Sequence, residues 1–138
     1  MSGESTAAAM ERLFKGLADR TRLRLLNLMA GQEVCVCFFV EILNVSQPMI
    51  SRHLAYLRRT GLVAARRQGK WMHYRIVNPE NPFARQLLTD TLRWLSTDKE
   101  MQHDRSRLTR ASCAPEKFVT LQGAPAPTPT RVFMEERR

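Results

Sequence analysis

Two predicted helices joined by a very short connection constrain the fold of this chain more than any other feature. Apolar residues recur at helical spacing from residue 36 to residue 43, and Asn44 is expected to end this helix. Ser46 is the expected N-cap of the next helix, which has Pro48 in its first turn and continues to Arg59. A connection of a few residues between two such helices is typical of a helix-turn-helix.

A predicted β-hairpin follows this pair of helices. Residues 62–67 and 71–77 are expected to form two short strands, with Gln68, Gly69 and Lys70 as the turn. A basic-tipped hairpin directly after a helix-turn-helix is a wing. We therefore predict a mainly α fold with a small β-hairpin, which is a winged helix-turn-helix.

The remaining helices are predicted near the two ends of this unit. The first has one apolar stripe, made by Met10, Leu13, Phe14 and Leu17. Asp19 and Thr21 are alternative N-caps for a second helix that stops at Gly31. The last has a longer stripe, made by Leu87, Leu88, Thr91, Leu92 and Leu95.

The long stripe of the last helix predicts a homodimer. A small domain has already used its first helices to cover the core, so a further apolar face is expected to meet a partner subunit, together with the first helix. The predicted dimerisation residues are Leu13, Leu17, Leu88, Leu92 and Leu95.

The distribution of charge favours a polyanionic partner. The formal net charge is +9, and residues 42–79 contain no Asp or Glu but seven Arg and Lys. A field of one sign is tolerable when the partner is a polyanion, because phosphate contacts release condensed counterions. Double-stranded DNA is therefore the expected partner.

The first half of the second helix of the motif is expected to enter the major groove, where Gln suits adenine and Arg suits guanine. Arg58 and Arg59 resemble phosphate contacts, and the wing tip is expected to contact the DNA backbone or minor groove. The predicted DNA-binding residues are Gln47, Ser51, Arg52, His53, Tyr56, Arg58, Arg59, Arg67, Lys70 and Arg75. The alternatives are a solvated basic helix, a packed His53 that bonds locally, and a hairpin whose charges only protect an edge strand.

No segment of the sequence indicates export or a membrane. No apolar run approaches the roughly 20 residues needed to cross a bilayer, and the first residues lack a basic region followed by an apolar core. Three cysteines do not resemble a secreted disulfide framework. We expect a cytoplasmic protein with reduced thiols and no membrane partner.

Cys35 and Cys37 form a Cys-x-Cys pair about ten residues before the basic helix. Two thiols this close in sequence can chelate a thiophilic ion. If both lie in a regular helix they point about 200° apart, so both bind one ion only when the first turn unwinds. The alternative is that they are two small buried apolar residues at the start of a helix.

Four segments together resemble the ArsR/SmtB winged-helix repressors, and specifically their arsenic-responsive branch. They read LADRTRL from Leu17, EVCVC from Glu33, SQPMISRHL from Ser46 and GKWMHYR from Gly69. The resemblance covers about residues 8 to 97. It implies a homodimer that binds operator DNA, an inverted repeat, and leaves it when trivalent arsenic or antimony binds cysteines, with no organic cofactor.

This resemblance sets the expected domains. They are a flexible N-terminus over residues 1–8, a winged helix-turn-helix domain for DNA binding and dimerisation over residues 9–97, and a largely flexible C-terminal extension over residues 98–138 that carries Cys113.

The chain departs from the arsenic-responsive pattern at the third ligand. Relatives with three thiolates have a cysteine three positions after the pair, where this chain has Val40. Either two thiolates suffice, or Cys113 contributes from its own or the opposite subunit. An uninvolved tail thiol is the alternative for Cys113.

Three other functions remain open at this point. A redox-sensing repressor would use Cys35, Cys37 and Cys113. A zinc- or cadmium-responsive repressor is disfavoured, because Leu92 and Ser106 stand where the zinc-sensing relatives have the second residue of each metal-binding pair. A thiol enzyme is also disfavoured, because Cys-x-Cys is not the Cys-x-x-Cys of thioredoxin-like proteins.

Overall fold

The computed structural model describes residues 3–130, and the fold is the predicted winged helix-turn-helix. The helices are α1 Thr6–Leu17, α2 Arg20–Met29, α3 Val36–Leu43, α4 Gln47–Arg59, α5 Pro82–Leu95 and α6 Lys99–Cys113. The strands are β1 Gln32–Cys35, β2 Val63–Gln68, β3 Trp71–Ile76 and β4 Thr128–Pro129, and two short 3-10 helices cover Pro115–Lys117 and Val119–Leu121.

Short-range hydrogen bonds set the ends of these helices. Of the two alternative caps for α2, Asp19 is the one used, and its carboxylate accepts from the backbone N–H of Arg22 at 3.0 Å. Asn44 ends α3 in the left-handed conformation, at φ 54°. Ser46 precedes α4 as predicted but makes no side-chain cap hydrogen bond.

The sheet has four strands in the order β2-β3-β1-β4, all antiparallel. β2 and β3 are the predicted wing, joined through Gly69 at φ 59°. β1 was not predicted, because its four residues have no alternating pattern and form a strand only by pairing with β3 and β4. The consequence concerns Cys35, which ends β1 instead of lying inside a helix.

The core lies between α2, α3, α4 and the inner strands. Phe38 and Phe39 of α3, Ile50 and Leu54 of α4 and Val34 of β1 have no solvent exposure. Complete burial of one such side chain contributes about 1.5–3 kcal/mol. The helix-turn-helix and β1 are thus parts of one packed unit.

The C-terminal extension differs from the flexible segment that we expected over residues 98–138. Residues 99–113 form α6, which packs on α2 and α3 through Met101, Leu108 and Ala111. The sequence hid this helix because one of its buried positions is the charged residue Asp104. Residues 131–138 lie outside the described part of the chain.

The N-terminus also differs in part from the flexible segment expected over residues 1–8. α1 begins at Thr6, and the side chain of Ser5 accepts from the backbone N–H of Ala8 at 3.1 Å. Residues 1 and 2 lie outside the described part of the chain.

The apolar stripe of α5 is shared between the chain's own core and its surface. Leu88 is 0% exposed and Leu92 is 8% exposed, because α5 packs on α2 of the same chain. The expectation that these two residues meet a partner subunit is therefore wrong. Leu13, Leu17 and Leu95 are only partly buried.

Candidate thiol site and nucleic-acid interface

The two sulfurs of Cys35 and Cys37 lie together. Cys35 has extended backbone, with φ −70° and ψ 142°, and occupies the N-cap position of α3, whereas Cys37 lies in the first turn. The Cys37 thiol donates a hydrogen bond to the Cys35 sulfur at 3.3 Å. The predicted separation of the sulfurs by a regular helix is wrong, because Cys35 is not helical.

This hydrogen bond gives the two thiols different pKa values. It is the largest cause that lowers the pKa of Cys35 to about 7, and burial works in the opposite direction. The same contact, with burial, raises the pKa of Cys37 far above its ordinary value. Near neutral pH a substantial fraction of the molecules therefore carries a thiolate on Cys35, while Cys37 keeps its proton.

Solvent reaches Cys37 but not Cys35. Cys35 is completely buried, whereas Cys37 is partly exposed. A ligand that enters from solvent therefore meets Cys37 first. Two soft sulfur donors suit a thiophilic ion better than a hard one.

No third donor joins the pair within the described chain. Across residues 3–130 no group of three or more His, Cys, Asp or Glu is placed to hold a metal ion. Cys113, the predicted third ligand, is exposed at the end of α6. The structure thus brings together two of the three predicted thiol ligands.

A charged cluster beside Cys35 was not predicted from the sequence. Glu33 on β1 is almost buried, and its Oε1 accepts from Nε and Nη2 of Arg66 on β2 at 3.1 and 2.7 Å. Its Oε2 lies 3.6 Å from Nη1 of Arg75 on β3. The contact with Arg66 is the largest cause that lowers the pKa of Glu33. Only the pairing of β1 with the wing reveals this cluster.

The recognition helix α4 exposes most of its predicted DNA-contacting residues. Tyr56 is half-buried and lies beneath two guanidinium groups, those of Arg22 at 4.2 Å and Arg59 at 5.4 Å from the ring centre. The exposed predicted residues on this helix are Gln47, Ser51, Arg52, Arg58 and Arg59. One basic face of α4 is therefore exposed to solvent.

His53 is held by α2 beneath this face. Its Nδ1 lies 3.3 Å from Nη1 of Arg22 and 3.8 Å from Oδ1 of Asp19. Arg22 also donates to the backbone carbonyl oxygens of Lys15 and Gly16 at the end of α1. His53 thus has the local bonding that we considered as its alternative to DNA contact, and Arg22 joins α1, α2 and α4.

The wing presents its predicted basic residues unevenly. Arg67 and Lys70 are exposed near the tip, and the Lys70 ammonium lies 4.9 Å from the ring centre of Trp71. Arg75 instead lies at the base, where Glu33 offsets part of its charge. Of the three predicted wing residues, Arg67 and Lys70 are therefore the ones exposed near the tip.

No helix in the described part of the chain is both long and apolar enough to span a bilayer.

Several known proteins are similar to this chain in sequence. The profile described as "Bacterial regulatory protein, arsR family" matches residues 19–65. The arsenical resistance operon repressor of Escherichia coli K12 is 42% identical over 104 residues, which are 74% of this chain and 86% of that protein. The arsenic resistance transcriptional regulator ArsR2 of Pseudomonas putida KT2440 is 48% identical over 90 residues, which are 61% of this chain and 77% of that protein.

Two solved structures share the architecture. HlyU from Vibrio cholerae N16961 has a TM-score of 0.58 at 28% identity, over 66% of this chain and 96% of that chain. The AntR antimony-specific transcriptional repressor has a TM-score of 0.52 at 32% identity, over 70% of this chain and 87% of that chain. The two curated relatives named above are repressors and regulators of transcription, not thiol enzymes. With its helix-turn-helix, its wing and these relatives, the chain belongs to the ArsR family of bacterial regulatory proteins and is a transcriptional repressor.

Proposed function

We propose that this repressor binds operator DNA as a homodimer and leaves it when trivalent arsenic or antimony binds Cys35 and Cys37. The observation that carries the proposal is the distance of 3.3 Å between the two sulfurs, at the junction of β1 and α3. This junction lies between the wing and the helix that precedes the recognition helix. A ligand held there is therefore connected to both DNA-reading elements, the wing and α4, without touching either.

The relatives support the class of inducer. The curated proteins named above are called arsenical and arsenic resistance regulators, and AntR is described as antimony-specific. Trivalent arsenic and antimony are thiophilic, so the donor set of this site fits them. A site with carboxylate or carbonyl ligands would favour hard cations instead.

The acidity of the pair prepares it for ligation. A thiol must lose its proton before it binds a metal-like centre. The lowered pKa of Cys35 makes its thiolate available near neutral pH. Cys37 still carries its proton. When both sulfurs bond to arsenous acid, As(OH)3, two As–O bonds break. The Cys37 proton leaves with one displaced hydroxide as water, and the other hydroxide passes to solvent.

For operator binding, we propose that α4 enters the major groove and that the wing contacts the backbone of an inverted repeat. The proposed base contacts come from Gln47, Ser51 and Arg52, with Tyr56 beside them. The proposed phosphate contacts come from Arg58, Arg59, Arg67 and Lys70. His53 and Arg75 take supporting positions, since each is engaged by its own chain.

For dimerisation, we propose a surface made by α1 and α5. Leu13, Leu17 and Leu95 remain partly exposed there. Met10 and Phe14 on the same helix as Leu13 are about half exposed, at 51% and 47%. Large apolar side chains that stay this exposed along one helix mark an interaction surface.

Cys113 enters the proposal only through the partner subunit. In one chain it does not join the Cys35 and Cys37 pair, so a third thiolate from Cys113 requires contact between subunits. Counting the thiols that arsenite consumes in the parent and in Cys113→Ser decides between two and three ligands per site.

The function is tested on a duplex that the protein itself selects from a random pool. Binding is measured by fluorescence anisotropy with increasing arsenite or antimonite. We expect release in the parent and in Cys113→Ser, and persistent binding in the Cys35→Ser, Cys37→Ser double variant. If arsenite or antimonite released the parent and the double variant from DNA equally, these thiols would not be part of the mechanism.

A second candidate function is release by oxidation, favoured by the contact of a thiolate with a thiol at 3.3 Å. A peroxide would oxidise the Cys35 thiolate to a sulfenic acid, and the Cys37 thiol would displace water to form a disulfide. The same anisotropy experiment with hydrogen peroxide, followed by reduction with a dithiol, distinguishes this route. DNA binding restored by the reductant would support it.

A further inference from the structure

We propose that Glu33 is a positioning residue that transmits ligand binding at the thiol pair to the wing, so that DNA release acts through the β2–β3 hairpin. The inference rests on the proposed function, because it concerns how the same thiol pair affects DNA. It also moves the coupling path away from the unwinding of α3 that the sequence suggested.

The strand register places the thiol site and the wing in one row. Cys35 of β1 is paired with His73 of β3, and His73 is paired with Arg66 of β2. Glu33 lies two residues before Cys35, and alternate residues of a strand share one face of the sheet. The ion pair between Glu33 and Arg66 therefore crosses the same face, from the cysteine strand to the outer strand of the wing.

Glu33 is tied to both strands of the wing. Its side chain is only 10% exposed and carries the contacts to Arg66 at 2.7 Å and to Arg75 at 3.6 Å. A charge so poorly hydrated depends on its partners. Displacement of β1 is therefore expected to move the two arginines or to break their contacts.

Ligation requires such a displacement. Cys35 is completely buried, so a ligand from solvent can bond to both sulfurs only after groups that cover Cys35 have moved. The elements that can supply this displacement are the end of β1 and the start of α3. The element that moves transmits ligand binding at the thiols to the DNA-binding surface.

α3 is anchored by the C-terminal extension. Arg107 of α6 donates to the backbone carbonyl oxygen of Ile42 at 2.7 Å, and Thr120 donates to Glu41 at 2.7 Å. Leu121 is completely buried and belongs to the core that α3 also forms. These contacts hold the C-terminal half of α3 and oppose a shift of the whole helix toward α4. The displacement is therefore expected at the first turn of α3 and at the end of β1 that adjoins it.

The wing is well placed to convert this movement into weaker DNA binding. Arg66 is followed directly by Arg67, which is exposed toward the tip of the hairpin with Lys70. A change in the tilt of β2 and β3 shifts both basic residues relative to the DNA backbone. Breaking a phosphate contact at the tip reduces the affinity for any duplex.

The test uses two substitutions at opposite ends of the ion pair and one matched control. Glu33→Gln removes the negative charge on β1, the strand that carries Cys35. Arg66→Gln removes the positive charge on β2 of the wing, away from the thiols. Glu116→Gln makes the same chemical change at an exposed position after α6, outside the thiol site, α3 and the wing. All three act in the full-length chain, and thermal melting checks that each one folds.

Two quantities are measured for every variant. Arsenite affinity and the number of thiols consumed report ligand binding, and the ratio of operator affinities without and with arsenite reports coupling. We expect ligand binding like that of the parent in all three variants. The coupling ratio should fall by between about 2-fold and about 30-fold in Glu33→Gln and Arg66→Gln, and it should stay at the parent value in Glu116→Gln.

A direct readout of the wing accompanies these ratios. Trp71 begins β3, and in a Trp94→Phe background its emission reports the wing. Arsenite is expected to change this emission in the parent background and to change it less after Glu33→Gln. A structural effect alone would lower the melting temperature without altering this response.

The outcomes separate the two proposals. Failure of arsenite and antimonite to release DNA from the parent would overturn the proposed function, and this inference with it. Full release from both Glu33→Gln and Arg66→Gln would overturn this inference alone. Weaker arsenite binding by Glu33→Gln would also overturn it, because Glu33 would then belong to the ligand site.

Discussion

Arg24 on α2 donates two hydrogen bonds to the carboxylate of Asp104 on α6, at 2.8 and 3.0 Å. The Asp104 side chain is 3% exposed and that of Arg24 is 19% exposed. This pair fixes the C-terminal extension to the helix before the thiol site. It also explains how a helix rich in polar residues packs stably on the domain.

The first prediction concerns the energy of this attachment. Asp104→Ala leaves the Arg24 guanidinium without its carboxylate, and the free energy of unfolding is expected to fall by about 1.5–3 kcal/mol. Partial exposure of Arg24 keeps the loss below that of a fully buried pair. Denaturant titration followed by circular dichroism measures it.

The control for this prediction is Asp90→Ala. Asp90 is 58% exposed and lies 3.9 Å from Nη1 of Arg93, so its loss should cost about 0–1 kcal/mol. Equal destabilisation by the two substitutions would contradict the assigned role of the Arg24–Asp104 pair.

The second prediction concerns the ionisation of the thiols. In a Cys113→Ser background, ultraviolet absorbance of thiolate should rise with a midpoint near pH 7, as Cys35 loses its proton. Below that pH Cys35 is a thiol, and above it Cys35 is a thiolate that accepts from Cys37. Cys37→Ala removes the donor, so burial dominates and the midpoint should move to higher pH. An unchanged midpoint in Cys37→Ala would show that the sulfur contact does not set the acidity.

The sequence predicted the elements whose signals are local. The helical stripes, the cap at Asp19, the left-handed Asn44 and the wing turn around Gly69 all follow from neighbouring residues. β1 was missed because this four-residue strand exists only through its pairing with β3 and β4. That miss also produced the wrong geometry for the two cysteines.

Long-range contacts account for the other differences. α6 was missed because Asp104 interrupts its apolar stripe, and its charge is matched by a residue 80 positions earlier in the chain. The Glu33 cluster depends on three strands meeting at one point. Leu88 and Leu92 carry an apolar pattern that indicates burial but does not say which surface buries them.

The third prediction tests the wing tip. Lys70→Ala should weaken binding to operator and unrelated duplexes by a similar factor. The slope of the logarithm of affinity against the logarithm of salt concentration should fall by about one unit, because one phosphate contact is removed. Lys117→Ala, which removes an exposed lysine after α6, should leave the slope at the parent value. A shift in base preference after Lys70→Ala would instead assign sequence reading to the wing.

The fourth prediction separates base contacts from phosphate contacts on α4. Arg52→Ala should relax base preference at one operator position by about 1–3 kcal/mol. Arg59→Ala, near the end of the same helix, should weaken all duplexes alike. Binding to a panel of single-base operator variants provides the measurement. If Arg52→Ala weakened binding to all duplexes equally, Arg52 would be assigned to the phosphate contacts.

The fifth prediction concerns the proposed dimer surface. Phe14 is 47% exposed on α1, so Phe14→Asp should disturb association without opening the core of one chain. A charge placed in an apolar interface is unpaired there and costs far more than it does in water. Sedimentation equilibrium should show the dimer dissociating at protein concentrations where the parent remains associated. Operator affinity should fall with it, because two linked recognition helices bind two half-sites more tightly than one.

Val119→Asp is the matched control for dimerisation. Val119 is 88% exposed in the segment after α6, so the same change of charge and polarity occurs there outside α1 and α5. This variant should sediment as the parent does. If Phe14→Asp also sediments as the parent does, association must use another surface, and the exposed Phe83 and Trp94 of α5 become the positions to test next.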